Sequence, residues 1–260
     1  HRAAAIFLRQ IHLLRQSPLK VINLLYWSLF ELILWGLITH YLYQAGGERF
    51  GFITVILAAV IFWNFFNRIQ QNLCFSFLED LRSRNLVNLF VSPLTIQEYL
   101  AGLMLLNVVV ASSCLAGTAM TAYFLRLYDI FQFGFLLIPF ILIFFLFGWS
   151  LGIFITAAVL RFGSSAELLM WSIPTFVMPL SGVFYPIETL PKFAEGLAYL
   201  LPTSYIFEGM REIVHRGSFS APSLLTAAVL SIIYFTAAMV TLLRVYRTTV
   251  KLGLLVRPCS

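Results

Sequence analysis

Long apolar runs separated by short polar stretches make up most of this 260-residue chain. A run of about 20 apolar residues is long enough to cross a hydrocarbon core of roughly 30 Å as a helix. Six such runs are present, at residues 21–43, 52–73 (continuing towards Phe77), 98–124, 133–160, 168–184 and 224–245. The pattern therefore predicts an all-α polytopic membrane protein with six transmembrane helices, which form one transmembrane domain over residues 1–260.

The first 17 residues have a different pattern, in which apolar and basic positions alternate at helical spacing. Ala4, Phe7, Leu8, Ile11 and Leu14 recur three and four apart, whereas Arg2, Arg9, His12 and Arg15 fall mostly on the other side. This predicts an amphipathic helix in the surface of the anionic cytoplasmic leaflet, and Pro18 ends it. Such a helix is either a simple anchor or a working part of the domain.

The stretch EDLRSRNLVNLFVSPLTIQ, at residues 79–97, places charge between two apolar runs. Glu79 and Asp80 suit the N-terminal end of a helix, where negative charge is favoured. Leu81, Leu86, Leu89 and Phe90 then face one way, and Arg82, Asn85 and Asn88 face another. Pro93 ends this helix and Thr95 caps the next one. The pattern favours a short docking helix on the membrane surface; the alternative is a solvated connection between two spans.

Residues 184–222 are semi-polar and are divided into short pieces by Pro186, Pro191 and Pro202. Two apolar stripes follow these prolines, which predicts two short helices that dip into the outer leaflet and return. Irregular backbone at membrane depth is tolerated only where protein or water covers it. Six charged residues of this re-entrant segment are expected in water: Lys192, Glu195, Glu208, Arg211, Glu212 and Arg216. The segment is either an external gate or a structural cap.

Composition and charge narrow the class of protein further. Hydrophobic residues make up 60% of the chain and charged residues only 11%, against roughly 25% charged in a soluble domain. Most basic residues fall on the side that holds both termini and residues 79–97, which places that side in the cytoplasm. We expect no nucleic-acid binding, since no basic run forms a patch. We also expect no metal site, disulfide or catalytic residue, since no suitable cluster occurs.

Two blocks of the sequence resemble the ABC-2-type permeases, which are membrane subunits of one class of ABC exporters. The first is the charged stretch followed by FVSPLTIQEYLAG at 90–102, and the second is SGVFYPIETLPKFAEGLAYLLPTSYIFEGMREIV at 181–214. The resemblance implies two permease copies, expected as a homodimer, in a bacterial inner membrane. It also implies two separate subunits that bind ATP and magnesium, since this chain has no phosphate-binding loop and is not expected to hold a cofactor.

The same resemblance suggests roles for individual residues. Residues 79–92 would form a coupling helix in a groove of the ATP-binding subunit, and residues 184–222 would form the external gate. The candidate coupling residues are Glu79, Asp80, Arg82, Arg84, Asn85, Leu89, Phe90 and Pro93. The candidate gate residues are Phe184, Pro186, Pro191, Pro202, Glu208 and Arg211.

The second predicted span carries an unusual polar stripe. Asn64, Asn67, Arg68 and Gln71 recur at helical spacing, and Glu31 falls within the first span. A charge at the centre of a bilayer costs at least roughly 2.5–3.5 kcal/mol, so these side chains should face protein or water. One hypothesis is that Glu31 pairs with Arg68 and that the stripe faces a translocation route. The alternative is that these polar groups join helices to one another.

Taken together, these features predict the permease subunit of an ATP-driven exporter, which is a transport subunit and not an enzyme. A hydrophobic, amphiphilic or lipid-linked substrate is favoured, because the N-terminal region lacks a run of basic and aromatic residues expected of a polysaccharide permease. Two alternatives stay open. One is a polysaccharide or glycan export permease of the same family, and the other is a channel or secondary transporter that does not use ATP.

Overall fold

A computed structural model describes residues 2–46, 53–83, 85, 94–125, 128, 130–216 and 220–251. The regular elements in this part of the chain are helices. They are α1 (Arg2–Gln16), α2 (Pro18–Gly46), α3 (Ile53–Arg82), α4 (Ile96–Phe124), α5 (Leu137–Phe162), α6 (Leu168–Leu180), α7 (Lys192–Ala198), α8 (Pro202–Arg216) and α9 (Ala221–Lys251), with short 3-10 turns before α5, α6 and α7.

Several of these helices are suited to a membrane. Within the described residues, three are long and apolar enough to cross one: Ile96–Phe124, Phe133–Phe162 and Ala221–Lys251. Shorter apolar helical segments occur at Tyr26–Thr39 and Leu168–Leu180. Together with the long helix α3, they confirm the predicted all-helical polytopic membrane architecture, including short helices before the last span.

Helix α3 is longer than the sequence pattern suggested. Its 30 residues rise about 45 Å, so it exceeds a hydrocarbon core of roughly 30 Å. Nothing between Cys74 and Arg82 interrupts the helix, because this stretch contains no proline or glycine. The prediction that Glu79 and Asp80 begin a new helix is therefore wrong, since both lie near the C-terminal end of α3.

The core of the bundle lies where α5 packs between α3 and α9. Phenylalanine rings fill the seam between α3 and α5; for example, Phe66 stacks on Phe147 with 5.6 Å between ring centroids. Further along, Gly148 and Gly152 allow close approach, since a Cβ at Gly148 would lie 2.7 Å from the Cγ2 atom of Ile69. The glycine pair thus packs against α3 within one chain.

The helices meet at two ends of the bundle. The Asp80 end holds α1, the C-terminal end of α3, the start of α4 and the turn before α6. The Arg9–Asp80 and Arg82–Glu167 ion pairs and the Tyr99–Asp80 hydrogen bond join these four elements. The Trp35 end holds the middle of α2 and the segment after α6, where Trp35 stacks on Phe184 at 5.1 Å between ring centroids. A helix that runs from the Asp80 end to the Trp35 end can connect the contacts at one end with those at the other.

Helix α1 packs on α4 through a face that the apolar stripe only partly predicted. Ile6 and Gln10 are buried, whereas Leu8, a member of the predicted stripe, is 63% exposed. Phe7, Ile11 and Leu14 pack against a small cluster formed by α4. The close contact occurs at Gly102, where a Cβ would lie 2.6 Å from the Cβ of Ile6.

Candidate functional site

The carboxylate of Asp80 is the centre of a buried polar cluster at the Asp80 end. Arg9 donates two hydrogen bonds to it, at 2.5 and 3.2 Å, and Gln10 donates a third, at 3.1 Å. Tyr99 donates a fourth through its hydroxyl group, at 2.7 Å, and the Asn85 amide donates a fifth, at 3.1 Å. We call these five residues the Asp80 node.

The electrostatics of the node explain how a carboxylate is kept inside the protein. The Asp80 side chain is 4% exposed, so its charge has lost most contact with water. A buried carboxylate needs a partner charge and further hydrogen bonds, and the node supplies both. The hydrogen bond from Arg9 to Asp80 in turn raises the pKa of Arg9 above its ordinary value.

The node connects three helices that precede and follow the predicted coupling segment. Arg9 and Gln10 belong to α1, Asp80 to α3 and Tyr99 to α4. The start of α4 is itself well formed, because Thr95 and Glu98 make a reciprocal capping box, as expected for Thr95. Both ends of the segment are thus held by defined contacts.

The predicted coupling residues divide into two groups. Glu79, Asp80 and Arg82 lie in the last two turns of α3, and Asn85 lies close by through its bond to Asp80. Arg82 forms an ion pair with Glu167, which the sequence did not predict. Arg84, Leu89, Phe90 and Pro93 lie outside the described residues, so the predicted docking helix stays a prediction.

A cavity of about 1130 Å³ opens beside α3, and α1, α2, α4 and α6 complete its walls. All five residues predicted to face a translocation route line it: Glu31, Asn64, Asn67, Arg68 and Gln71. Its lining continues down α3 to Glu79 and Arg82, close to the Asp80 node. The polar stripe therefore faces open space. No other helix of the described residues covers the whole length of the stripe.

The predicted ion pair between Glu31 and Arg68 is not among the contacts of the described residues. The Arg68 Nε atom instead donates a long hydrogen bond, 3.4 Å, to the Ser28 hydroxyl group. Two nearby amide atoms, Asn67 Oδ1 and Asn72 Nδ2, are buried and lack a hydrogen-bond partner in the described structure.

At the Trp35 end, residues 184–211, which contain the six predicted gate residues, form a cap that is joined to the end of α6. Glu208 accepts hydrogen bonds from the Ile187 backbone amide, at 2.7 Å, and from Arg211 Nη2, at 2.9 Å. The prediction that Arg211 is exposed to water is wrong, because its side chain is only 10% exposed. It packs beside Gly182, which adopts a positive φ of 60° where any Cβ would crowd Ile187 and Arg211.

The prolines of this cap take different positions. Pro186 and Pro191 are exposed and flank the short turn Ile187–Thr189, whereas Pro202 is buried at the start of α8. Phe184 stacks on Trp35 of α2. The cap is held to the end of α6 by a 2.6 Å hydrogen bond between the hydroxyl groups of Ser181 and Thr203.

Sequence reasoning missed Arg9, Gln10 and Tyr99 as partners of Asp80. The helical spacing places Arg9 on the basic side of α1, which is predicted to face the membrane surface. Tyr99 falls within the block FVSPLTIQEYLAG, and nothing in that block indicates a partner for it. One signal was available in the sequence, which is the position of Asp80. A carboxylate next to an apolar span needs a cation as its partner. The partner could not be chosen, because several arginines of α1 are spaced alike.

Comparison with known proteins agrees with this arrangement of helices. No curated protein matches the chain at a significant level of similarity. The model of the ABC-2 type transporter family matches residues 5–215, a range that includes most of α1, the Asp80 node, the cavity-lining stripe and the six predicted gate residues. Because this match covers most of the chain, the protein belongs to the ABC-2 type transporter family and is a multi-pass membrane permease of that kind of transport.

Proposed function

We propose that the chain is the permease subunit of an ATP-driven exporter in the bacterial inner membrane, with both termini in the cytoplasm. It works as a homodimer together with two copies of an ATP-binding subunit, which bind ATP and magnesium. Members of this family generally pair with ATP-binding subunits. The exported molecule is hydrophobic, amphiphilic or lipid-linked.

The observation that supports this proposal best is the continuity of α3. The same uninterrupted helix, Ile53–Arg82, carries the cavity-lining stripe along its middle and Asp80 near its end. The predicted docking segment, residues 79–92, begins in the last turn of this helix. A push on that segment is therefore applied to the helix that forms one wall of the cavity.

The Asp80 node makes such a push effective in this proposal. Hydrogen bonds from α1 and α4 hold the end of α3, so the three helices move as one body. Closure of the two ATP-binding subunits would tilt this body and change the shape of the cavity. The cap at the Trp35 end would stay closed until the cavity has changed.

Co-purification tests the partnership. We expect an ATP-binding-cassette subunit to co-purify with the tagged chain from native membranes, and to be lost in Leu89→Asp, which places a charge on the predicted docking face. The matched control is Phe193→Asp, because Phe193 is 81% exposed and lies in the cap region. Retention of the subunit in Leu89→Asp would contradict the docking role of the segment.

The same preparation separates the alternatives. A channel or secondary transporter predicts that no ATP-binding subunit co-purifies and that residues 79–92 do not affect nucleotide turnover. A polysaccharide exporter predicts the same partner but turnover stimulated by a glycan and not by an amphiphile. The size and mixed polarity of the cavity favour the amphiphile.

A further inference from the structure

The cavity beside α3 combines a polar wall with apolar and aromatic walls. Six side chains of α3 supply amide or guanidinium groups, whereas α4 and α6 supply mainly apolar ones, among them Leu106, Val110 and Trp171. Trp171 also makes an edge-to-face contact with Phe75 of α3, at 6.0 Å between ring centroids. Such a space suits a molecule with one polar end and one apolar body.

The charges in the lining cancel. Glu31 and Glu79 contribute two negative charges, and Arg68 and Arg82 contribute two positive ones, so the described lining has no net charge. A ligand with a net charge would lose its hydration without a matching charge in the wall. A molecule with zero net charge enters such a cavity at the lower cost.

Glu31 and Arg68, two of the charged residues that line the cavity, nevertheless form no ion pair with each other in the described structure. Arg68 makes one long contact with a neutral hydroxyl group, and Glu31 makes no hydrogen bond or ion pair with another described residue. The wall therefore offers one positive and one negative side chain that lack an ionic partner. A ligand with one negative and one positive group complements both.

Resting on the function proposed above, we propose that this cavity binds an amphiphile with a zwitterionic headgroup. The anionic group of the ligand takes hydrogen bonds from Arg68, and its cationic group faces Glu31. Its apolar part lies against Trp171 and the α4 wall. At about 1130 Å³ the cavity slightly exceeds the usual size range for a drug-sized ligand, so it has room for a chain as well as a headgroup.

Binding is measured on the purified permease in nanodiscs, without any ATP-binding subunit. The probes share a dodecyl chain brominated near its end and differ only in headgroup: phosphocholine, sulfate, trimethylammonium and maltoside. Bromine quenches the fluorescence of nearby tryptophans, and Trp27, Trp63 and Trp171 line the cavity. We expect the phosphocholine probe to bind about tenfold more tightly than the other three, in keeping with one charge-assisted hydrogen bond.

Two variants test the roles of the charges. Arg68→Gln should weaken phosphocholine binding about tenfold and make the trimethylammonium probe the best ligand, whereas Glu31→Gln should make the sulfate probe the best ligand. The controls are Lys192→Gln and Glu195→Gln, which remove charges from α7 and should leave all four affinities unchanged. Exchange of headgroup preference in opposite directions would not follow from a general loss of packing.

Equal binding of the four probes to the unaltered protein would overturn the inference, whether or not the variants fold. Equal weakening of every probe by both variants would also overturn it, because the polar residues would then serve only to join helices. Either failure leaves the proposed function standing if the ATP-binding subunit still co-purifies. Conversely, selective binding of the phosphocholine probe, together with a failure of the ATP-binding subunit to co-purify, would support the binding site and contradict the coupling to ATP.

Discussion

The hydroxyl group of Tyr99 donates a 2.7 Å hydrogen bond to the carboxylate of Asp80, and these two residues stand at opposite ends of the segment that connects α3 with α4. The Tyr99 side chain is fully buried, and Asp80 is almost so. The two helices that flank the segment expected to contact the ATP-binding subunit are therefore joined at its ends, and the edge-to-face contact of Phe77 with Tyr99 adds to this hydrogen bond.

The hydroxyl group of Tyr99 should contribute measurably to stability. Tyr99→Phe keeps the ring in place and removes one donor to a charged acceptor, so the free energy of unfolding should fall by about 1.5–3 kcal/mol. Denaturant unfolding in micelles, followed by circular dichroism, measures it. The control is Tyr26→Phe, at a ring that is 55% exposed, which should change the value by less than about 0.5 kcal/mol. Equal losses in the two variants would contradict this view of the node.

The charge of Asp80 should hold α1 against the bundle. In Asp80→Asn the guanidinium of Arg9 loses its carboxylate partner, and α1 should separate from α4 more often. Ile6, which is 5% exposed, reports on this when it is changed to cysteine. We expect its labelling by a maleimide to become at least several-fold faster in Asp80→Asn. The distant substitution Glu212→Gln should leave the labelling rate unchanged; a rate that is equally slow in Asp80→Asn would show that apolar packing alone holds α1.

Two glycine substitutions should have opposite effects. In Gly102→Ala the new methyl group would lie 2.6 Å from Ile6 Cβ and 2.8 Å from the backbone oxygen of Ala3, so α1 must shift, at a cost of about 1–3 kcal/mol. In Gly196→Ala the methyl group meets nothing within 4 Å, and alanine favours a helix by up to about 1 kcal/mol. Unfolding of the two variants under the same conditions measures both effects. A destabilised Gly196→Ala together with an unaffected Gly102→Ala would contradict the α1–α4 packing.

The cap should depend on the carboxylate of Glu208. Glu208→Gln replaces a charged acceptor of the Ile187 amide with a neutral one and leaves Arg211 without its ion-pair partner. Hydrogen exchange at the Ile187 amide should become about tenfold faster, which corresponds to a loss of about 1.4 kcal/mol. Mass spectrometry of a peptide that spans residues 183–190 measures it. The control is Glu188→Gln, since Glu188 is exposed in the same turn; faster exchange in this control alone would place the anchor elsewhere.

The helical architecture could be predicted from the sequence because a hydrocarbon core permits few alternatives. Within the described residues, apolar length identified the spans Ile96–Phe124, Phe133–Phe162 and Ala221–Lys251, whereas the predicted fifth span at 168–184 is a shorter helix, Leu168–Leu180. The prolines of residues 184–222 marked the short helices before the last span. The polar stripe on α3 was also visible, because polar residues cost free energy in a membrane and must face something other than lipid. That Asn64, Asn67, Arg68 and Gln71 line one cavity agrees with that expectation.

The errors came from positions where two local rules compete. Glu79 and Asp80 match the preference for acids at a helix start, but an uninterrupted helix continues through them because Arg9 of α1 neutralises Asp80 near the unfavourable C-terminal end. Arg211 matches the expectation that charge faces water, but Glu208 on the same helix allows it to be buried. In both cases a partner supplied by the fold outweighed the local preference.

The sequence by itself determined that the chain is a bundle of membrane helices, which of their faces are polar, and which segments interrupt them, because these properties follow from hydropathy and from backbone chemistry along the chain. Only the tertiary structure decided which charges meet. Asp80 pairs with Arg9, 71 residues away, and Arg68 faces a cavity near Glu31 without pairing with it. Such choices depend on distances between helices of a few ångströms, and helical spacing along one chain carries no information about them.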